Sequence, residues 1–393
     1  MDARALAALA ANPGCRRRAL LDGAGVDKGA LAQALGAPAN FGQSQFAHQR
    51  GNSFEARVKA DGGADLVRLL HERLRDGSEP SGPGAVATPD LTASGPQGRT
   101  ARTALALREA TEAGRWALLD HPMVSLDVAG SSAFLEPDAV VVHPDGSWTV
   151  IEIKSFPMVD GSADPAKVGA AARQSAVYTL ALERVASMIG EPDEDGGGTT
   201  DPAGAAEAAE TAGKAARGPV RARVRHQVLL VCPKDFSNLP TAELVDVRKQ
   251  LAVTRRQLDR LTRIEEIAAA LPEGTTFDLR LTDDGRIPTR PVGELTAAVD
   301  AVDAAYAPEC LSTCELAAHC RIRSRAAGRV EALGRGVRGE LGGLTTVDAV
   351  LTAAMNGPAD GAPTGDPAVD ALRRAAALRA EALAARPEAV ACR

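Results

Sequence analysis

The chain has 393 residues, of which 45% are hydrophobic, 24% charged and only 3% aromatic. These proportions exclude a membrane protein and a wholly disordered chain. The formal net charge of −6 excludes a generally basic nucleic-acid coat and leaves local nucleic-acid binding open, since that depends on patches and bound metal. At about 100–200 residues per domain, the length suits two or three domains, or one enlarged domain.

The start, MDARALAALAANPGC, has an acidic second residue and too short an apolar run for a signal peptide. No stretch approaches the roughly 18 apolar residues of a membrane helix. A cytoplasmic protein with reduced or metal-bound cysteines is expected. Lysine stands only at 28, 59, 154, 167, 214, 234 and 249, all other basic residues being arginine, and tyrosine only at 178 and 306.

In chain order, 1–75 reads as helical, with Cys15 near its start and a periodic stretch through Phe54, Val58, Leu66 and Leu70. Residues 76–100, rich in Gly, Pro and Ser, read as a loop. A central block over 101–189 opens with a helix at 101–119. Strand-like runs follow at Val124–Val128, Ala139–Val142 and 148–153, then a helix over 165–189 with proline in its first turn. Residues 190–219 are acidic, Gly- and Ala-rich and nearly without large apolar side chains, so a disordered insertion is expected. The block resumes over 220–300, with a buried strand at 224–231, one long helix at 241–271 and a strand at 277–281. Residues 301–325 hold a compact cysteine cluster. An Ala/Arg-rich helical tail occupies 326–393, interrupted by a Pro/Gly linker at 357–367. Within the tail, GELGGLTTVDAVLTAA (339–354) resembles helix-hairpin-helix DNA-binding segments.

The stretch FLEPDAVVVHPDGSWTVIEIKSF (134–156) carries the chemistry. Pro144-Asp145-Gly146 is a turn between two apolar runs. A hairpin centred on Asp145 sets Asp138 opposite Glu152, where paired Cβ atoms lie about 4.5–5.5 Å apart. Two carboxylates at that range repel unless a cation lies between them or one is protonated. Period-2 alternation puts Glu152 and Lys154 on one face, with Ile151 and Ile153 on the other. Such a set suits Mg²⁺- or Mn²⁺-assisted phosphodiester hydrolysis, with Lys154 orienting the water or neutralising charge. The same residues also suit a solvated hairpin face with an incidental Lys–Glu pair.

Pro137-Asp138 followed by Glu152-Ile153-Lys154 resembles the motif of the PD-(D/E)XK nucleases in their RecB-like form. Gln174 and Tyr178 match the Gln-x-x-x-Tyr motif of that branch, at the i, i+4 spacing of one helical face. The upstream Gly-x-x-Φ-His motif is matched by Gly51-Asn52-Ser53-Phe54-Glu55, with Glu55 in the histidine's place; Glu109, on the next helix, is its rival. The resemblance implies an α/β fold of the restriction-endonuclease type, a small mixed sheet flanked by helices. It implies a DNA nuclease, more often an exonuclease, in repair, recombination or defence, acting on single strands or duplex ends beside a helicase or other such protein. Asp138, Glu152, the Ile153 carbonyl and Glu55 would hold Mg²⁺ or Mn²⁺. Gln174 and Tyr178 would hold the substrate backbone or the lysine.

Cys310, Cys314 and Cys320 stand within eleven residues. In a reducing compartment that spacing suggests metal, zinc or iron–sulfur, with a fourth ligand either local (His319) or remote. The resemblance extends to RecB-like nucleases of the CRISPR-associated and AddB types, which hold a structural [4Fe–4S] cluster on one early and three late cysteines. It implies Cys15 as the early ligand and a helical cap built from both chain ends. Cys232 reads as a buried small hydrophobe and Cys392 as a free thiol. Arg16-Arg17-Arg18 with Arg321, Arg323 and Arg325 suggest either a phosphate-binding patch or a solvated basic run. The alternative to an enzyme is a DNA-binding or scaffold protein with the same metal centre and a decayed nuclease site.

Overall fold

A computed structural model describes residues 1–39, 45–75, 86–190, 222–235, 237–283, 287–356 and 363–384. The expected insertion at 190–219 lies outside them apart from its first residue, as do Cys392 and most of the 357–367 linker. In chain order the elements begin with α1 (Ala3–Ala11), α2 (Arg16–Gly23), α3 (Lys28–Ala34), α4 (Gln45–Val58), α5 (Ala64–Leu74) and α6 (Gly95–Ala113). Five strands follow: β1 (Ala117–Asp120), β2 (Val124–Val128), β3 (Ser131–Leu135), β4 (Ala139–Val142) and β5 (Ser147–Ile153). Next come α7 (Pro165–Gly190), β6 (Arg223–Val224), β7 (Gln227–Pro233), β8 (Pro240–Asp246), α8 (Arg248–Leu258) and α9 (Ile264–Ala269). The last helices are α10 (Val292–Asp300), α11 (Ala317–Ala326), α12 (Arg335–Glu340), α13 (Val347–Met355) and α14 (Pro367–Ala384). Among the described residues no helix is long and apolar enough to cross a membrane.

The chain divides into two compact units, one of Met1–Pro13 with Gln43–Ile264, the other of Gly14–Gly42 with Glu265–Arg393. The first is built on a mixed sheet in the order β1-β4-β5-β7-β8, with β6 also pairing with β5, and β2–β3 form a separate hairpin. The β5–β7 pair is parallel, and β1–β4, β4–β5 and β7–β8 are antiparallel. Every residue of β4 and β5 is buried, as expected of strands covered on both faces. Helices α4 and α5 cover one face, where Phe54, Leu66 and Leu70 pack with Ile151, Ile153 and Val231. On the other face the fully buried Trp148 donates its indole N–H to Thr111 Oγ1 of α6 at 2.9 Å, and α7 lies over β5, β6 and β7. A small mixed sheet flanked by helices is thus the architecture of this unit, as expected.

Some expectations are corrected. No single helix fills 241–271: Pro240–Asp246 is a strand paired along its length with β7, from Gln227↔Asp246 to Pro233↔Pro240. The helix-forming residues of AELVD yield there to the unmet backbone groups of β7, the tertiary override to which strand propensity is open. The apolar run at 224–231 is divided between β6 and β7. The expected strand at 277–281 is reduced to one bridge, Leu281↔Pro288, because Arg280 takes a left-handed φ of 48° that ends the extended run. Strands β1 and β3 were not foreseen. Gly114, at φ 58°, closes α6 as a left-handed cap and frees Ala117–Asp120 to pair with β4.

The second unit is helical. Leu21, Leu31 and Ala32 share one core with Leu295, Val299, Tyr306, Leu316 and Ala317, so early and late segments of the chain close a common interior. The segment 339–354 forms the end of α12, a turn, and α13, capped by Thr346 Oγ1 accepting from Ala349 N at 3.2 Å.

Candidate active site and cysteine cluster

The hairpin has the expected register. Ala139 pairs with Ile151 and Val142 with Trp148, and continuing that register sets Asp138 against Glu152. Antiparallel pairing of β4 with both β1 and β5 brings the end of β1, the start of β4 and the end of β5 to one end of the sheet. Ile151 and Ile153 face the α4–α5 core, so alternation turns Glu152 to the opposite face. There its carboxylate is 1% exposed. The Lys154 ammonium meets Oε1, and Oε2 has no hydrogen-bond partner among the described residues.

Burial, reinforced by the Asp138 charge, pushes the Glu152 carboxyl up to about 7, against the pull of Lys154. Burial likewise raises Asp138, partly countered by Lys154 and by the Ile153 N–H, which donates to Asp138 Oδ2 at 2.6 Å. On Lys154, burial works against the charge, but Glu152 and Asp138 more than offset it and hold its pKa above the usual value. This end of the sheet therefore carries two desolvated carboxylates with less positive charge around them than they need. Hard divalent cations meet that deficit in oxygen-lined sites.

Glu55, on α4, comes to the same place. Its Oε1 accepts from Lys59 Nζ at 2.6 Å and from His121 Nε2 at 3.1 Å. The His121 bond, with help from Lys59 and against burial, pulls the carboxyl down to about 2. The same bond raises the His121 pKa. Lys59 Nζ also meets Asp120 Oδ1 at 2.7 Å and the Asp138 carbonyl oxygen at 2.8 Å, while the Glu55 charge acts on Asp138. Glu109, the rival, is exposed on α6. Sequence reasoning missed Lys59, Asp120 and His121 as members of this group. One sequence signal pointed to this group: Lys59 stands four residues after Glu55, on the same helical face.

Gln174 and Tyr178 lie on one face of α7 and bond to each other, Nε2 donating to the phenolic oxygen at 3.0 Å. The Tyr178 hydroxyl donates to the Glu136 carbonyl at 3.1 Å. Burial, with the charges of Glu152 and Asp138, raises the tyrosine pKa. In this state Tyr178 anchors the chain just before Pro137-Asp138.

In the second unit, Cys15 precedes α2, Cys310 lies in the short 3₁₀ turn Pro308–Ser312, Cys314 follows that turn, and Cys320 lies in α11. Cys15, Cys314 and Cys320 are free thiols. Cys320 is acted on electrostatically by Cys15 and Cys310, and Cys314 by Cys320 and Cys15, so they share a neighbourhood. Burial pushes the Cys314 thiol up to about 12 and raises Cys320, against the nearby arginines. Arg17 Nη1 donates to Cys320 Sγ at 3.2 Å, and Arg18 Nη1 donates to the Thr313 carbonyl at 2.6 Å. Neither reading of the arginine run, phosphate patch or solvated run, extends to Arg17 and Arg18, which are buried and turned inward onto the cysteine segment; Arg16 is exposed. His319 Nε2 lies 3.1 Å from Asp300 Oδ1. Cys232 is fully buried in β7, its thiol pushed up to about 12 by burial, which makes it an inert hydrophobe. Among the described residues no three His, Cys, Asp or Glu side chains converge as a metal-binding group.

Comparison of the chain with protein-family models, with curated proteins and with solved structures finds no match in any of the three.

Proposed function

We propose that the first unit is a divalent-metal-dependent DNA nuclease of the RecB-like PD-(D/E)XK type, and that the four cysteines of the second unit hold a structural [4Fe–4S] cluster. The observation that carries the nuclease reading is Glu152: a carboxylate fully buried at a strand end, one oxygen unpartnered, with Asp138 and Lys154 beside it. Burying an unneutralised carboxylate is costly, and a chain keeps one where a cation or a reaction uses it.

Asp138, Glu152 and the Ile153 carbonyl would hold Mg²⁺ or Mn²⁺, completed by the Glu55 oxygen not engaged by Lys59 and His121. Bound there, such an ion would lower the pKa of its water and stabilise charge on the phosphate oxygens. The protein groups do the rest. Lys154 orients the attacking water and faces the developing charge. The Ile153 N–H holds the Asp138 carboxylate in place, and Tyr178 holds the backbone that delivers it. In the second unit Arg17, which donates to Cys320 Sγ, would face that ligand of a bound cluster and tune it rather than ligate.

The test is Mg²⁺- or Mn²⁺-dependent degradation of end-labelled DNA by the purified chain and by Asp138→Asn, Glu152→Gln and Lys154→Ala. Each substitution should lower cleavage by about a thousandfold or more, as expected when one group of a unit that acts together is removed, with circular dichroism unchanged. Near-wild-type cleavage by any of the three refutes the site. A chain that cleaves no DNA with either ion but still binds it would favour the decayed, DNA-binding reading.

A further inference from the structure

The seat of Lys59 supports an inference that rests on the nuclease reading and goes beyond it. Lys59 directly follows α4, and its side chain is 11% exposed. Its ammonium meets three oxygens delivered by three elements: Glu55 Oε1 of α4 at 2.6 Å, Asp120 Oδ1 at the end of β1 at 2.7 Å, and the Asp138 carbonyl just before β4 at 2.8 Å. An ammonium has three N–H donors and no acceptor; these oxygens and His121 Nε2, 2.9 Å away, surround it, so that each donor has a partner. His121 Nε2 also lies 3.1 Å from the same Glu55 oxygen. Two carboxylates and a carbonyl are also the donor set that Mg²⁺ and Mn²⁺ take.

Two of these oxygens belong to residues assigned above to the catalytic metal. Two-metal nucleases place their ions about 3.5–4 Å apart, bridged by shared ligands. We infer that the Lys59 ammonium is a built-in cation standing in the place of a second metal ion, so that hydrolysis here uses a single divalent ion per chain. A tethered ammonium brings its charge without a binding equilibrium and holds Glu55 and the Asp138 backbone in position. A second divalent ion would have to displace a group held by three short bonds. Lys59 is a positioning residue, acting through Glu55 and Asp138.

The experiment is a Mn²⁺ titration of the full chain, read by calorimetry and by the electron paramagnetic resonance of free Mn²⁺. Wild type should bind one Mn²⁺, and cleavage should rise with the first power of Mn²⁺ concentration. Lys59→Met, which keeps the aliphatic stem and removes the charge, should bind two, with cleavage lower at limiting Mn²⁺ and rising with the second power. Lys59→Arg should remain at one. Two ions in wild type, or a single ion in folded Lys59→Met, overturns the assignment. The wild-type result alone decides if Lys59→Met does not fold. Wild type that binds no Mn²⁺ overturns this inference together with the nuclease reading, whereas two ions with cleavage intact overturns only the role of Lys59.

Discussion

Glu152 shows what the site costs the fold. Its folded pKa, near 7, lies above the ordinary carboxylate value, so the folded protein holds this proton after the unfolded chain has released it. Stability is then undiminished below about pH 4.5 and falls as pH rises, with the loss complete above about pH 7. Glu152→Gln removes the titration. In protein stripped of metal, it should raise the melting temperature by several degrees near pH 8 and change it little near pH 5, as thermal unfolding at the two pH values will show. An unchanged melting temperature at pH 8 would mean that Lys154 alone satisfies the carboxylate. At this scale much of the site was legible. Asp138, Glu152 and Lys154 follow from turn chemistry and period-2 alternation, both local. Lys59 is tied to Glu55 by an i, i+4 spacing, but Asp120 and His121 reach the same place through the pairing of β1 with β4, and no spacing within one segment reports a meeting of that kind. The fit of Gln174 and Tyr178 to a motif was legible, but the acceptor of the Tyr178 hydroxyl, a carbonyl 42 residues away, was not.

Among the elements, α5 depends on one glycine. Gly63 precedes the helix at φ 80°, and a Cβ built there would fall 2.0 Å from Leu118 Cδ2 of β1. The left-handed backbone and the close approach each exclude a side chain. Leu118 belongs to the core that also holds Leu66 and Leu70, so it cannot move aside cheaply. Gly63→Ala should destabilise the protein by about 2–4 kcal/mol, read from urea unfolding; a change under about 0.5 kcal/mol would mean that the strand gives way. The elements that could be read from the sequence were those whose pattern is their own. The long apolar period of α7 and the apolar runs of β4 and β5 stand without neighbours. β8 does not: its residues favour a helix in isolation, and its extended state is imposed by an open strand edge that only the assembled sheet presents.

At the scale of the whole molecule, the division into two units assigns Cys15 to the company of Cys310, Cys314 and Cys320, although nearly three hundred residues of chain separate them. If these thiols hold the proposed cluster, protein purified without oxygen should be brown and carry about four irons per chain. Cys15→Ser should lose both colour and iron, and Cys232→Ser should keep both, since its sulfur lies in β7 of the other unit. Iron analysis and the absorbance near 400 nm read the result; a colourless protein with one zinc per chain would refute the cluster and leave the nuclease site untouched. The same division sets an order of events during synthesis. Gly14–Gly42 leaves the ribosome early, yet Leu21, Leu31 and Ala32 find their core partners only when Leu295, Val299 and Tyr306 have emerged. At about 5–20 residues per second, this segment waits on the order of 10–50 s while the entire first unit is made and folds. The second unit is therefore closed last, and its cysteines take up whatever they bind only after the sheet and its carboxylates are in place.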